Sequence, residues 1–142
     1  MSSHKSLEIF IDGSSLGNPG EAGVGIVIAQ GEHTLKNIAE PIGRQTNNVA
    51  EYTALIFALK EALAMKAAEV SIYSDSELLC RQMSGAYKVK NEGIKNLFHE
   101  AHALIGRFDK VEIRQIPREK NGGADKLARL AAKKNTTPAI PV

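Results

Sequence analysis

The chain has 142 residues, of which 43% are hydrophobic and 24% charged, and its formal net charge is +2. This composition is typical of a globular protein with one sizeable core, and the small net charge permits an anionic partner without demanding one. A single cysteine, Cys80, excludes an internal disulfide, and the N-terminus lacks the apolar core of a signal peptide. We therefore expect a cytoplasmic monomer without membrane segments, with one domain over residues 1–134 and a tail over 135–142.

The first predicted element is an apolar strand from Leu7 to Ile11 that stops at Asp12-Gly13. Its β-branched and aromatic residues indicate a strand covered on both faces. A glycine-rich loop follows as far as Gly20, where the backbone can turn tightly and approach a ligand. A carboxylate beside such a loop suits a metal ion and a phosphate ester. Taken alone, however, the simpler interpretation is an Asp-Gly turn that leads into the next strand.

Two more strands are predicted, from Ala22 to Ile28 and from His33 to Ile42, with the third nearer an edge. Gly31-Glu32 fits the hairpin turn between them. Gly23 and Gly25 lie on one face of the second strand and leave room there for close packing. Three short strands in succession predict an antiparallel meander.

Strong helix formers from Val49 to Lys66 predict the first helix, and Thr46, Asn47 and Asn48 offer caps for it. Glu51 heads the apolar stripe of this helix, so we expect its carboxylate to point toward the sheet. The alternative is a capping box, in which Glu51 reaches back to a free amide near Asn48.

The next strand, from Val70 to Tyr73, ends at another acid, Asp75, and a helix over Glu77 to Met83 follows. A strand-end acid again suggests a site. The alternative is that Asp75 or Ser76 is only the N-cap of the helix behind it.

The remaining elements are a polar connection over Ser84 to Gly93, a helix over Ile94 to Ile105 and an edge strand over Val111 to Ile116. A loop bracketed by Pro117 and Gly122-Gly123 leads to a last helix over Ala124 to Lys133. Asp125 lies in the first turn of that helix, where the helix dipole alone favours an acid.

This order of elements predicts an α/β protein with a five-stranded mixed sheet flanked by helices, in which strands 4 and 5 run parallel to strand 1. Asp12 and Asp75 then emerge at the same sheet edge, where Glu51 and Asp125 can face them from two helices. No lysine, arginine or histidine in these motifs is an obvious partner for the four carboxylates. Two divalent cations, Mg²⁺ or as a substitute Mn²⁺, would relieve their repulsion.

Four motifs together resemble type 1 ribonuclease H: Asp12 to Gly20, Thr46 to Tyr52, Ser74 to Ser76, and Asn121 to Ala128. The resemblance extends from about Leu7 to Ala132. It implies a ribonuclease H-like fold and an endoribonuclease that hydrolyses the RNA strand of RNA/DNA hybrids by two-metal-ion catalysis, leaving 5′-phosphate and 3′-hydroxyl ends. The residues it places at the metals are Asp12, Gly13, Glu51, Asp75 and Asp125, of which the four acids are catalytic.

The same resemblance implies contacts with the hybrid. Amides and hydroxyls suit that role because they can contact 2′-hydroxyls, base edges and phosphates across the wide minor groove without demanding a sequence. The implied substrate-binding residues are Asn18, Arg44, Thr46, Asn47, Asn48, Glu77 and Asn121. For Asn47 and Asn48 the alternative is helix capping alone.

Two departures separate the chain from many family members. The loop from Ile116 to Asn121 is shorter and lacks their histidine, so Arg118 is the nearest candidate for a catalytic substitute, as in the histidine-lacking branch. Its alternative role is that of an ordinary solvated arginine. The long basic protrusion is also missing, and the lysines of Ser84 to Lys95 are the only replacement there, so we expect weaker substrate affinity and a shallower salt dependence.

Two other classes of function are compatible with parts of the pattern. A nucleic-acid binding module of the same fold that no longer cleaves would not need all four acids. A sugar-kinase or actin-like ATPase also places Asp and Gly after a strand, but it requires a second domain to enclose its nucleotide, and this chain is too short to supply one.

Overall fold

The computed structural model describes residues 5–134, so the predicted tail over 135–142 and most of the polar N-terminus lie outside the described residues. The strands are β1 (Ser6–Ser15), β2 (Gly20–Gln30), β3 (His33–Gln45), β4 (Glu69–Ser74) and β5 (Lys110–Gln115). The helices are α1 (Asn47–Ala64), α2 (Glu77–Met83), α3 (Glu92–Ile105) and α4 (Gly122–Lys134), with a 3₁₀ turn at Arg118–Lys120 before α4. Within the described range, no helix combines the length and apolarity needed to cross a bilayer.

The five strands form one sheet in the order β3-β2-β1-β4-β5. Strands β1, β2 and β3 pair antiparallel, whereas β4 pairs parallel with both β1 and β5. The predicted mixed sheet, its meander and both edge positions are therefore confirmed. The largest fully buried side chains include Ile9, Ile11, Tyr52, Leu55 and Leu59, which belong to the core that β1 and α1 form together.

Helices α1 and α4 cover opposite faces of the β1–β2 pair. A Cβ atom built on Gly13 would lie 2.2 Å from the Ala50 carbonyl carbon in α1, and one on Gly25 would lie 2.0 Å from the Ala124 oxygen in α4. Gly25 pairs with Asp12, so these two residues share one face of the sheet. Gly13 is the next residue in β1 and therefore faces the opposite side. The close packing predicted on the glycine face of β2 is confirmed.

Several predicted boundaries differ by two or three residues, and two of these differences bear on the site. Strand β1 does not stop at Asp12 but continues to Ser15, because β2 remains its partner after β4 has ended at Ser74. Helix α4 begins at Gly122, so Gly122 and Gly123 are helical instead of flanking a loop. Glycine is tolerated there because the first N–H groups of a helix have no partner within it.

Candidate active site

Asp12 and Asp75 lie side by side where the parallel pairing of β1 and β4 ends. The last parallel pair of β1 and β4 is Ile11 with Ser74, and each acid is the next residue in the sequence. Asp12 is 6% exposed. The N-cap of α2 is Ser76, whose hydroxyl accepts a hydrogen bond from the Leu79 N–H at 3.2 Å. Asp75 therefore does not supply the cap, and capping does not account for its position.

Glu51 reaches the same place from the first turns of α1. Its carboxylate accepts a hydrogen bond from the backbone N–H of Gly13 at 2.6 Å. The helix is capped instead by Thr46, whose hydroxyl accepts from the Val49 N–H at 3.2 Å. The capping-box interpretation of Glu51 is thus wrong, and the carboxylate is turned toward the sheet as the helical stripe predicts.

One carboxylate oxygen from each of Asp12, Glu51 and Asp75 lies within 4.8 Å of the other two. Burial, together with the neighbouring Glu51 and Asp75 carboxylates, raises the pKa of Asp12 to about 9. Burial raises the pKa of Glu51 to about 7, although the Gly13 N–H opposes this shift. Ionising such a group of acids is unfavourable unless a cation joins them. An all-oxygen donor set is the kind that Mg²⁺ and Mn²⁺ prefer, so these residues fit a divalent cation.

Asp125 joins the cluster from the face that α4 covers, and its hydrogen bond with Asp12 contributes to the raised pKa of Asp12. No cationic partner was predicted within the four motifs, and for Asp125 the structure supplies one from just outside them. The Arg129 guanidinium, one turn along α4, pairs with its carboxylate at 2.6 Å. The two residues are four apart in a helix, where opposite charges commonly meet.

The four acids line a single open cavity of about 420 Å³, which we call the acidic cavity. Its other lining residues are Gly13, Ser14, Ser15, Asn47, Arg118 and Arg129. Arg118 lines the cavity and is exposed, and its catalytic role stays a prediction. Ser14, Ser15 and Arg129 were not predicted. The spacing of Arg129 from Asp125 is the signal that would have found it.

Asn121 occupies a different place from the one predicted. Its side chain is 1% exposed, and its amide donates to the Ile11 carbonyl at 2.9 Å and to the Asp75 carboxylate at 3.2 Å. A side chain with almost no accessible surface cannot contact a substrate, so the substrate-binding prediction is corrected. Asn121 instead holds Asp75 against the end of β1. The side-chain amide oxygen Oδ1 of Asn121 is buried without a hydrogen-bond partner among the described residues.

A second groove, of about 410 Å³, adjoins the acidic cavity and carries most of the predicted substrate contacts. We call it the polar groove; its lining residues are Asn18, Thr46, Asn47, Asn48, Val49, Asn91 and Ile94. The Asn18 side chain accepts from the Asn47 N–H at 3.1 Å, and the Asn47 side chain accepts from the Ser15 N–H at 3.1 Å. These bonds fix the glycine-rich loop against the start of α1.

Asn91 is a groove residue that the sequence analysis missed. It caps α3, with its side-chain oxygen accepting from the Ile94 N–H at 3.1 Å. The other two predicted contacts lie outside this groove lining. Arg44 is exposed near the end of β3, and Glu77 pairs with Arg81 at 2.8 Å in the first turn of α2.

The strand order and the position of the acids define the ribonuclease H-like class of α/β proteins. A family described as reverse transcriptase-like matches residues 10–131. A ribonuclease H from Shewanella denitrificans is 36% identical over 151 residues, covering 93% of this chain and 90% of the relative. The chain belongs to the type 1 ribonuclease H family of nucleases.

Two further relatives extend the comparison. A bifunctional protein of Mycobacterium tuberculosis is 43% identical over 119 residues, which cover 82% of this chain but only 33% of that protein. The chain therefore spans about a third of the length of that relative. The crystal structure of LC11-RNase H1 in complex with an RNA/DNA hybrid superposes with a TM-score of 0.86 at 40% identity, covering 92% of this chain and 99% of the other.

Proposed function

We propose that the chain is an endoribonuclease that hydrolyses the RNA strand of RNA/DNA hybrids with two divalent cations, leaving 5′-phosphate and 3′-hydroxyl ends. The observation that carries this proposal is the acidic cluster, with oxygens of Asp12, Glu51 and Asp75 within 4.8 Å of one another beside a groove of amides. The similar LC11-RNase H1 was crystallised with such a hybrid. We further propose that it acts as a cytoplasmic monomer, with residues 1–134 as one domain.

The metal ligands in this proposal are the carboxylates of Asp12, Glu51, Asp75 and Asp125, with Gly13 beside them. Mg²⁺ is the expected cation and Mn²⁺ a substitute. When bound, a pair of such ions supplies an activated water and stabilises the leaving oxygen of a phosphodiester.

The chain holds three of the four carboxylates, each by a different contact. The Gly13 N–H fixes Glu51, the Asn121 amide fixes Asp75, and the Arg129 guanidinium fixes Asp125. Partners that orient metal ligands commonly affect metal affinity or activity by about 10- to 100-fold. Gly13, Asn121 and Arg129 are therefore positioning residues in this mechanism.

The polar groove is the proposed binding site for the hybrid next to the cleavage position. Its amide side chains can donate to phosphates and 2′-hydroxyls and accept from the latter, so they hold a hybrid without selecting a sequence. Asn18, Thr46, Asn47 and Asn48 retain the roles that the resemblance implies, and Asn91 joins them. Arg44 and Glu77 are proposed to contact more distant parts of the hybrid, and Arg118 to act at the cleavage site.

Cleavage of a labelled RNA/DNA hybrid in Mg²⁺ tests the proposal. Asp75→Asn removes one charge from the cluster and should lower the rate about 10³-fold, since a metal site supplies several kcal/mol. The matched control is Asp109→Asn, an exposed acid beside the start of β5 at the opposite end of the sheet, which should cleave like the wild type. Equal rates for wild type and Asp75→Asn would refute the assignment. If the wild type binds the hybrid but does not cleave it, the result would favour the non-cleaving binding module.

A further inference from the structure

Helix α4 presents a basic surface of which the proposed mechanism uses only Arg129. The helix contains one acid, Asp125, and four basic residues. Three of the basic residues, Lys126, Arg129 and Lys133, follow the helical spacing that places side chains on one face. Together with Leu130 they line a groove of about 260 Å³, which we call the basic groove.

The basic groove adjoins the acidic cavity, since Arg129 lines both. At the other side of the cavity, Asn47 lines both the cavity and the polar groove. The three depressions therefore form one path, with amides at one end, carboxylates in the middle and cations at the other end. A polyanion that passes the acids meets repulsion there and attraction on α4.

We propose that the basic groove binds phosphates of the nucleic-acid backbone on the side of the cleavage site opposite the polar groove. This inference rests on the proposed function and adds a second contact surface to it. Lysine ammonium groups bind phosphates as point charges and do not read sequence. Leu130, which is 52% exposed, adds an apolar contact for the sugars between phosphates.

The test measures binding of a labelled RNA/DNA hybrid long enough to span the path, over a series of salt concentrations. The background is Asp75→Asn with a chelator present, so that cleavage does not interfere. The double variant Lys126→Gln/Lys133→Gln, the α4 pair, is compared with the double variant Lys36→Gln/Lys110→Gln, the control pair. The control pair removes the same charge from exposed positions on β3 and β5. Thermal melts of all variants establish that they are folded.

Loss of two phosphate contacts should reduce the slope of log K against log salt by about 2 and raise Kd roughly tenfold or more at 0.1 M salt. The control pair should change the slope by less than half as much. The conservative pair Lys126→Arg and Lys133→Arg should restore binding, since the charge is kept. Equal slopes for the α4 pair and the control pair would overturn the inference.

The two proposals fail in different ways. If wild type cleaves the hybrid but the α4 pair binds like the control pair, the basic groove is refuted and the proposed function stands. If the Asp75→Asn protein binds no hybrid at any salt concentration and the wild type does not cleave, both are refuted together.

Discussion

Helices α1 and α4 bring one acid each to the β1–β2 pair from opposite faces, and the two junctions differ in charge. Both depend on a glycine that lets a helix approach a strand closely, Gly13 at α1 and Gly25 at α4. At the α1 junction, Glu51 has a neutral backbone N–H as its partner, and burial raises its pKa to about 7. At the α4 junction, Asp125 has a guanidinium.

This difference makes the acidic cavity asymmetric. On the α1 side, Glu51 lies beside Asp12 and Asp75, and among the described residues no lysine or arginine forms a salt bridge with these three acids. A cation from solution is therefore attracted most strongly to the α1 side of the cavity. On the α4 side, a cation that approaches Asp125 must share it with Arg129 or displace that side chain. The two sides should therefore share the need for close packing but differ in metal affinity.

The largest expected effect tests the shared feature of the two junctions. Gly25→Ala places a methyl group 2.0 Å from the Ala124 oxygen, and Gly13→Ala places one 2.2 Å from the Ala50 carbon. Because helix and strand backbones must separate, each should lower the free energy of unfolding by more than about 3 kcal/mol, above the usual range for overpacking. The measurement is urea denaturation.

The control for these variants is Gly122→Ala, also at an α4 position. A Cβ atom there would meet nothing within 4 Å, so stability should change by less than about 1 kcal/mol. If urea denaturation gave Gly25→Ala the same free energy of unfolding as the wild type, α4 would not need its close approach to β2.

The next effect concerns pH in the absence of divalent cations. Asp12 has a pKa of about 9 in the folded protein against 3.8 as its ordinary value, so the folded state binds more protons between these limits. Stability should therefore fall as pH rises, by about 1.4 kcal/mol per pH unit for one proton, or about 3 kcal/mol between pH 6 and 8. Denaturation in a chelating buffer measures the slope.

Asp12→Asn should flatten this pH dependence, whereas the exposed control Asp109→Asn should leave it unchanged. Millimolar Mg²⁺ should also flatten it and raise Tm, because a ligand that binds only the folded state stabilises that state. A pH-independent stability of the metal-free wild type would contradict the clustered-acid geometry.

The features that sequence patterns predicted depend on short-range rules. Asp12 and Asp75 follow apolar strands, and Glu51 heads a helical stripe, so strand order and helix period are enough to bring these three together. The contacts that were missed depend on how loops return to the sheet. Asn121 is 110 residues from Ile11, whose carbonyl it contacts, and no local pattern indicates its burial. Arg129 is the exception, since its spacing from Asp125 would have revealed it.

Metal affinity gives the third test and addresses the asymmetry directly. Glu51→Gln removes charge from the side without a protein cation, so it should weaken Mn²⁺ binding about tenfold or more, equivalent to about 1.4 kcal/mol. Asp125→Asn removes a carboxylate that Arg129 already neutralises, and its effect should be less than about threefold. Titration calorimetry of the metal alone measures both. Equal losses would show that Arg129 does not set the two sides apart.

The smallest expected effect concerns Arg118, the exposed cation that lines the cavity just before α4. Exposed charge interactions contribute about 1 kcal/mol or less, so Arg118→Ala should reduce kcat by about fivefold and leave Mn²⁺ affinity and metal-free Tm unchanged. Arg118→Lys should restore most of the rate if charge is what matters. Arg129→Met, in contrast, should change the metal titration, because Arg129 is bonded to Asp125. If Arg118→Ala altered metal binding and not kcat, Arg118 would belong with Arg129 as a partner of the carboxylates, and the α4 side would carry two such cations.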